Sequence, residues 1–250
     1  MPASSPDDPT ADIRQPSVGQ PSGIPQGVAF EDAEYREAVI DLLGAIAYGE
    51  LSAFERLVDD SKLAPSLREK VELDAMATQE FGHLGRLHDR IRELGADPFE
   101  AMAPFEDALD LFHAHTAPQD WYEGLVKAFV GDGMAADFYR EVAAYLDRDS
   151  RDLIIASLED SGQATFVVEH VRQAIADDPK LGGRLALWSR RLMGEALTQA
   201  QRVAAERDAL TALLAGGVDR PGLDLAAIGR MFTRITERHA ERMAELGLSS

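Results

Sequence analysis

Carboxylates set at heptad positions inside apolar helical stripes restrict this chain to few folds. Glu50 lies seven residues after Leu43 and seven before Leu57. Asp132 lies seven after Leu125, and Asp160 seven after Leu153. Seven residues is about two helical turns, so each carboxylate points where its apolar neighbours point. An unpaired buried carboxylate is very costly. Several of them facing one core therefore need a compensating charge, and divalent cations such as Fe²⁺ or Mn²⁺ supply it.

The spacing makes this more specific. Glu80 and His83, in Glu80-Phe81-Gly82-His83, are three residues apart and share one helix face, close enough to bind one ion. Glu50 precedes Glu80 by thirty residues. A Glu on one helix with Glu-x-x-His on the next is half of the ligand set of a four-helix dimetal carboxylate site. A second, altered copy follows. Asp132 stands twenty-eight residues before Asp160, and Gly131-Asp132 aligns with Gly49-Glu50. Asp160-Ser161-Gly162-Gln163 then aligns with the first motif, with Gln163 where a His is expected. An amide is a weaker donor than imidazole, and Asp is one methylene shorter than Glu. Glu159 is an alternative ligand. The predicted metal set is Glu50, Glu80, His83, Asp132, Asp160 and Gln163. The opposing readings are a wide, partly exposed polar face for the first half and a vestigial site for the second.

The rest of the chain reads as all-α. Residues 1–28 are rich in Pro, Ser, Gly and Asp, which predicts a disordered tail. Helical stripes then run through Val39, Leu43, Ile46 and Leu57, and through Leu73, Met76, Leu87 and Ile91. Pro65 is expected in the first turn of the second helix, and Gly95 at its end. Residues 96–119 form a crossover with a short helix near 104–114. Two further helices carry Asp132 and Asp160, the latter ending at Asp178-Pro179. A long helix over 180–215 and a last one over 223–246 complete the chain. The expected organisation is a tail (1–28), a four-helix bundle (29–177) and a C-terminal helical pair packed on it (178–250). Two short hairpins joined by a long crossover give an up-down-down-up bundle.

Among the remaining residues, Tyr139 is a candidate hydrogen-bond partner of the ligands or a radical-transfer residue. Tyr48, Phe54, Phe81 and Phe129 fall near the same level and are expected to pack in the core. His88 is expected to face solvent. His113 and His115 lie in the crossover, at the surface or lining an entrance. His170 is expected at the surface or behind the ligands, His239 and Arg242 in packing or capping, and Trp121 and Trp188 at helix junctions.

At these motifs the chain resembles the ferritin-like superfamily. More narrowly it resembles actinobacterial ferritin-like proteins related to the bacterial tRNA hydroxylase that oxidises a methylthio-isopentenyl-adenosine. The resemblance spans roughly 30–176, anchored on Ala47–Leu57, Ala77–Leu87 and the Asp132 and Asp160 segments. Glu237–Leu248 also looks like the end of that group. It implies a four-helix bundle with a long crossover and two added C-terminal helices. It also implies a non-haem centre of two iron ions, or one, with manganese as the alternative, and O₂-dependent oxidation or hydroxylation. Gln163 departs from the family's His. The alternative is a non-catalytic helical scaffold or metal-binding protein with a degenerate second half-site.

Composition bears on partners. The net charge of −19 opposes unspecific attraction to nucleic acid or anionic membrane. The expected substrate is a small molecule or a modified nucleoside, and the added helices offer a homodimer surface. No stretch is long and apolar enough to cross a membrane. No signal-peptide pattern opens the sequence, which makes the cytoplasm the expected location. The absence of cysteine excludes disulfides and thiolate metal sites.

Overall fold

Helix α1 (Ala33–Asp60) begins where the Asp32 carboxylate accepts hydrogen bonds from the backbone N–H groups of Glu34 and Tyr35. In the computed structural model, residues 32–158, 164–215 and 225–249 are described. The predicted tail, Asp160 and Gln163 therefore lie outside the described residues. Helix α2 (Leu67–Glu93) begins at Ser66, whose hydroxyl accepts from the Glu69 N–H. Pro65 thus precedes the cap rather than opening the helix. The Ser66 side chain can satisfy one of the free N–H groups of the first turn, which a proline ring cannot. The end of α2 follows the sequence. Gly95, at φ +86°, donates to the Arg92 carbonyl at 2.9 Å, and Ala96 donates to Ile91 at 3.2 Å.

The crossover holds α3 (Pro98–Met102), a 3₁₀ turn (Ala103–Phe105) and α4 (Glu106–His115). It returns the chain to the end where α1 finishes, and α5 (Trp121–Ala143) descends from there. The fourth bundle helix, expected to be continuous, is two helices: α6 (Arg148–Ser157) and α7 (Ala164–Asp177). The predicted long helix is also two, α8 (Pro179–Glu206) and α9 (Asp208–Ala215). It breaks at Arg207, which leaves helical geometry at φ −125° and ψ 85°. There the guanidinium holds the buried Asp41 of α1, with Nε to Oδ2 at 2.9 Å. A charged pair between distant segments outweighs the helical preference of one residue, a tertiary effect that local periodicity does not report. The last helix is α10 (Leu225–Glu245).

The chain folds as an all-α bundle. One apolar cluster gathers Tyr35, Leu43, Leu87 and Leu146 at one end. A second gathers Leu57, Leu73, Leu125 and Trp188 at the other. The first end is pinned by the fully buried Asp147, which caps α6 by accepting from Ser150 N–H at 3.0 Å. It also accepts from the Tyr35 hydroxyl at 3.1 Å and the Arg90 guanidinium at 3.2 Å. Helix α10 lies antiparallel along α5: Arg234 pairs with Glu141, Arg238 with Glu141 and Asp137, and Arg242 with Asp137. Among the described residues there is no strand, and no helix is long and apolar enough to cross a membrane.

Candidate metal centre

The level between the two apolar clusters is polar. Glu50 on α1 is buried, while Glu80 and His83, one turn apart on α2, are half-buried. One ligand atom from each of the three lies within 4.8 Å of the others. His83 Nδ1 stands 3.4 Å from Glu50 Oε2. The heptad placement explains the burial of Glu50, since Leu43 and Leu57 on the same stripe are buried too.

Two carboxyl groups that meet away from water cannot both ionise cheaply. Burial pushes Glu50 up to about 7, and the charge of Asp132 adds to the rise. The hydrogen bond with Glu80 and the positive Arg86 oppose it. Burial pushes Glu80 up to about 9, helped by its hydrogen bond to Glu50 and the charge there. Without a cation, Glu80 therefore keeps a proton and donates it to Glu50. A divalent ion would take the place of that proton. Two carboxylates and one imidazole form a mixed oxygen and nitrogen donor set, which suits first-row divalent metals.

The second half is built differently. Asp132 on α5 lines the same cavity as the three donors, and its charge reaches Glu50 and Tyr139. It is nonetheless exposed and lies outside the three-donor cluster. The expectation that Asp132 is buried like Leu125 is therefore corrected. Across the cavity, α6 has already ended at Ser157, and Ser157 and Leu158 line the wall there. Asp160 and Gln163, the other members of the predicted second set, lie outside the described residues.

Tyr139 adjoins the centre. Burial and the three carboxylates Glu50, Asp132 and Glu80 raise its deprotonation well above the ordinary phenol range, so its hydroxyl stays protonated. A Cβ on Gly49 would come within 3.2 Å of that hydroxyl, which makes glycine there part of how closely Tyr139 approaches α1. Phe54 and Phe81 pack ring to ring at 5.1 Å, with Phe81 half exposed. Tyr48 turns to the crossover and donates to Asp110 at 2.9 Å.

The histidines divide. His83 joins the cluster, and His113 lines the cavity with Nε2 at 3.3 Å from Ser52 Oγ. His115 is exposed and pairs with Glu195 at 2.7 Å. His170 meets the Phe166 carbonyl and Glu69, away from the centre. His88 does not face solvent as expected: it is half-buried against Met102 and Phe99, because α3 folds back over that face of α2. His239 is buried, and Trp188 donates to the Glu123 carbonyl at 3.0 Å at a helix junction.

The whole cavity measures about 930 Å³. Sequence reasoning missed much of its wall. Arg56, Asp60 and Lys127 line it, as does Arg242 from the C-terminal helix. Lys127 carried a signal, being a single cation inside the apolar run from Trp121 to Val130. Arg242 is placed by Gly133, where an added Cβ would collide with the guanidine Nε.

A helical bundle with a long crossover and Glu and His donors converging between its helices is the architecture of ferritin-like proteins. The family model of the ferritin-like domain of actinomycetes matches residues 33–217, and the chain belongs to that family. No curated protein matches it.

Proposed function

We propose that this chain is a metal-dependent oxidase or hydroxylase of small molecules, with Glu50, Glu80 and His83 as ligands of an iron ion. Manganese is the alternative metal. The observation that carries the reading is that the three donors line a cavity of about 930 Å³, large enough for a substrate. A storage or purely structural role has no use for such a space beside the donors.

In this reading Glu80 gives up the proton it shares with Glu50 when the ion binds, and both carboxylates then ligate. His83 adds imidazole nitrogen from the same helix face as Glu80. Bound ferrous iron supplies the O₂-reducing chemistry of this class. Tyr139 keeps its proton and offers a hydrogen bond at the edge of the centre. Asp132 contributes negative charge, and with Asp160 and Gln163 it is the proposed holder of a second ion. The resemblance to the tRNA hydroxylase supports hydroxylation, but the charge of −19 favours a free small molecule or modified nucleoside over tRNA itself.

The exposure of Asp132 favours a second reading, a protein that binds one ion and does no oxidation. Mixing anaerobically Fe²⁺-loaded protein with air-saturated buffer separates the two. The oxidase reading expects O₂ uptake and absorption by oxidised iron, both lost in Glu80→Gln. Fe²⁺ binding with O₂ uptake no faster than that of free Fe²⁺ contradicts it.

A further inference from the structure

The cavity has a second polar end that the metal ligands do not use. Ser52, Arg56 and Asp60 succeed one another along α1, Lys127 faces this end from α5, and His113 from α4. Lys127 is only 5% exposed. Its ammonium donates to the Thr116 carbonyl at 2.9 Å and sits 5.7 Å from the centre of the Phe112 ring. Among the described residues no carboxylate makes a direct ion pair with it, and the charge that reaches it is that of Asp60. An ammonium has three donors, so a buried cation here retains two for a ligand.

His113 offers the opposite group. Ser52 gives its own hydroxyl proton to the Gly49 carbonyl at 3.0 Å. Its oxygen therefore accepts from His113 Nε2–H. Burial, with Lys127 and Arg56 nearby, holds His113 down to about 3, so the ring is neutral. Nδ1 is then a lone-pair acceptor, and it is buried with no partner. Burial pushes the Asp60 carboxyl up to about 6, against the pull of Lys127 and Arg56, so at neutral pH it is largely ionised and balances one of the two cations, leaving the other for a ligand.

We propose that this end binds the head of an organic acid carrying a hydroxyl or amino group next to its carboxylate. The carboxylate lies on Lys127 and Arg56, and the neighbouring donor satisfies His113 Nδ1. Arg56 is six residues past Glu50 on α1, and Lys127 five before Asp132 on α5. At 1.5 Å per residue these steps put the head about 7–9 Å along the bundle from the level of Glu50 and Asp132. A chain of about six carbons spans that distance.

The assignment of this acid as substrate rests on the function proposed above, but its binding does not require metal. Calorimetric titration of the full chain with 2-hydroxyoctanoate, 2-aminooctanoate and 1,2-octanediol tests it. The diol keeps the hydroxyl and the chain and lacks only the carboxylate. At least one acid should bind on the order of tenfold more tightly than the diol, the size expected of a buried charge-assisted contact. The tighter acid distinguishes hydroxy from amino substrates. In Lys127→Gln, which keeps a donor for Thr116 but leaves only Arg56 for the carboxylate, the preference should fall by at least about threefold, and Lys127→Met provides a second variant should the first unfold. Equal binding of acid and diol, no binding of either acid, or a preference undiminished in folded Lys127 variants overturns the proposal. Acid binding in a protein that fails to hold Fe²⁺ would count against the metal centre alone.

Discussion

The two helix pairs of the bundle carry carboxylates at the same heptad spacing and treat them differently. In the first pair, α1 and α2 are unbroken over 28 and 27 residues. Glu50 is buried between Leu43 and Leu57, and the motif on α2 faces it. In the second pair, Asp132 sits on an unbroken α5 and is exposed, while Asp160 and Gln163, expected to face it, lie outside the described residues. Spacing places a side chain on a face, whereas burial depends on what the facing element does. The same stripe thus yields a donor cluster on one side of the cavity and an exposed carboxylate on the other.

Ligand removal should separate the halves most sharply. We expect Glu50→Ala or His83→Ala to weaken Fe²⁺ binding by about 100-fold, since such ligands contribute several kcal/mol. Asp132→Ala should weaken it by less than about tenfold. Equilibrium dialysis of the three variants provides the comparison, and equal losses would erase the difference between the halves.

The acidity of the metal-free centre comes next. Glu50 and Glu80 have folded values of about 7 and about 9, raised above their ordinary 4.5. Between those values the folded state binds more protons than the unfolded chain, so this contribution is complete below about 4.5 and is lost as pH rises through 7 and 9. The metal-free protein should therefore lose several degrees of Tm between pH 5 and 9 relative to Glu50→Gln/Glu80→Gln, on the order of 2–4 °C per kcal/mol for this size. Parallel curves would show that the pair carries no shared proton.

A third variant addresses why α10 stays on the second pair. Gly133→Leu places bulk where the Arg242 guanidine Nε lies against the helix backbone. It should separate Arg242 from Asp137 and cost about 1–3 kcal/mol in denaturant unfolding. Metal binding by the first half should hold. The smallest effect is expected from Gln163→His. Imidazole is a better donor than an amide, so the second half should retain a metal up to about tenfold better in dialysis. Unchanged retention with a lower Tm would mark the second half as closed to metal.

The first half was legible because its signal is local. Glu50, Glu80 and His83 needed only the helical repeat and a thirty-residue separation, and the end of α2 at Gly95 needed only its glycine. The crossover helix was visible for the same reason. The break at Arg207 depends on Asp41, 166 residues away. The cavity's polar end depends on α1, α4 and α5 meeting. A lone Lys127 in an apolar run could be noticed in the sequence, but not that its ammonium would face Ser52, Arg56 and His113. The arginine ladder of α10 was hidden likewise, since Asp137 and Glu141 gain their partners only when Arg234, Arg238 and Arg242 arrive from about a hundred residues further along the chain.

We expect the first helix pair to hold a metal ion by itself. Anaerobic titration of the full chain with Fe²⁺, gel filtration and metal analysis test it directly, with His83→Ala and Asp132→Ala alongside. At least one retained iron per chain is expected in the wild type and in Asp132→Ala, and none in His83→Ala. Iron absent from the wild type, or retained equally by His83→Ala, would contradict it.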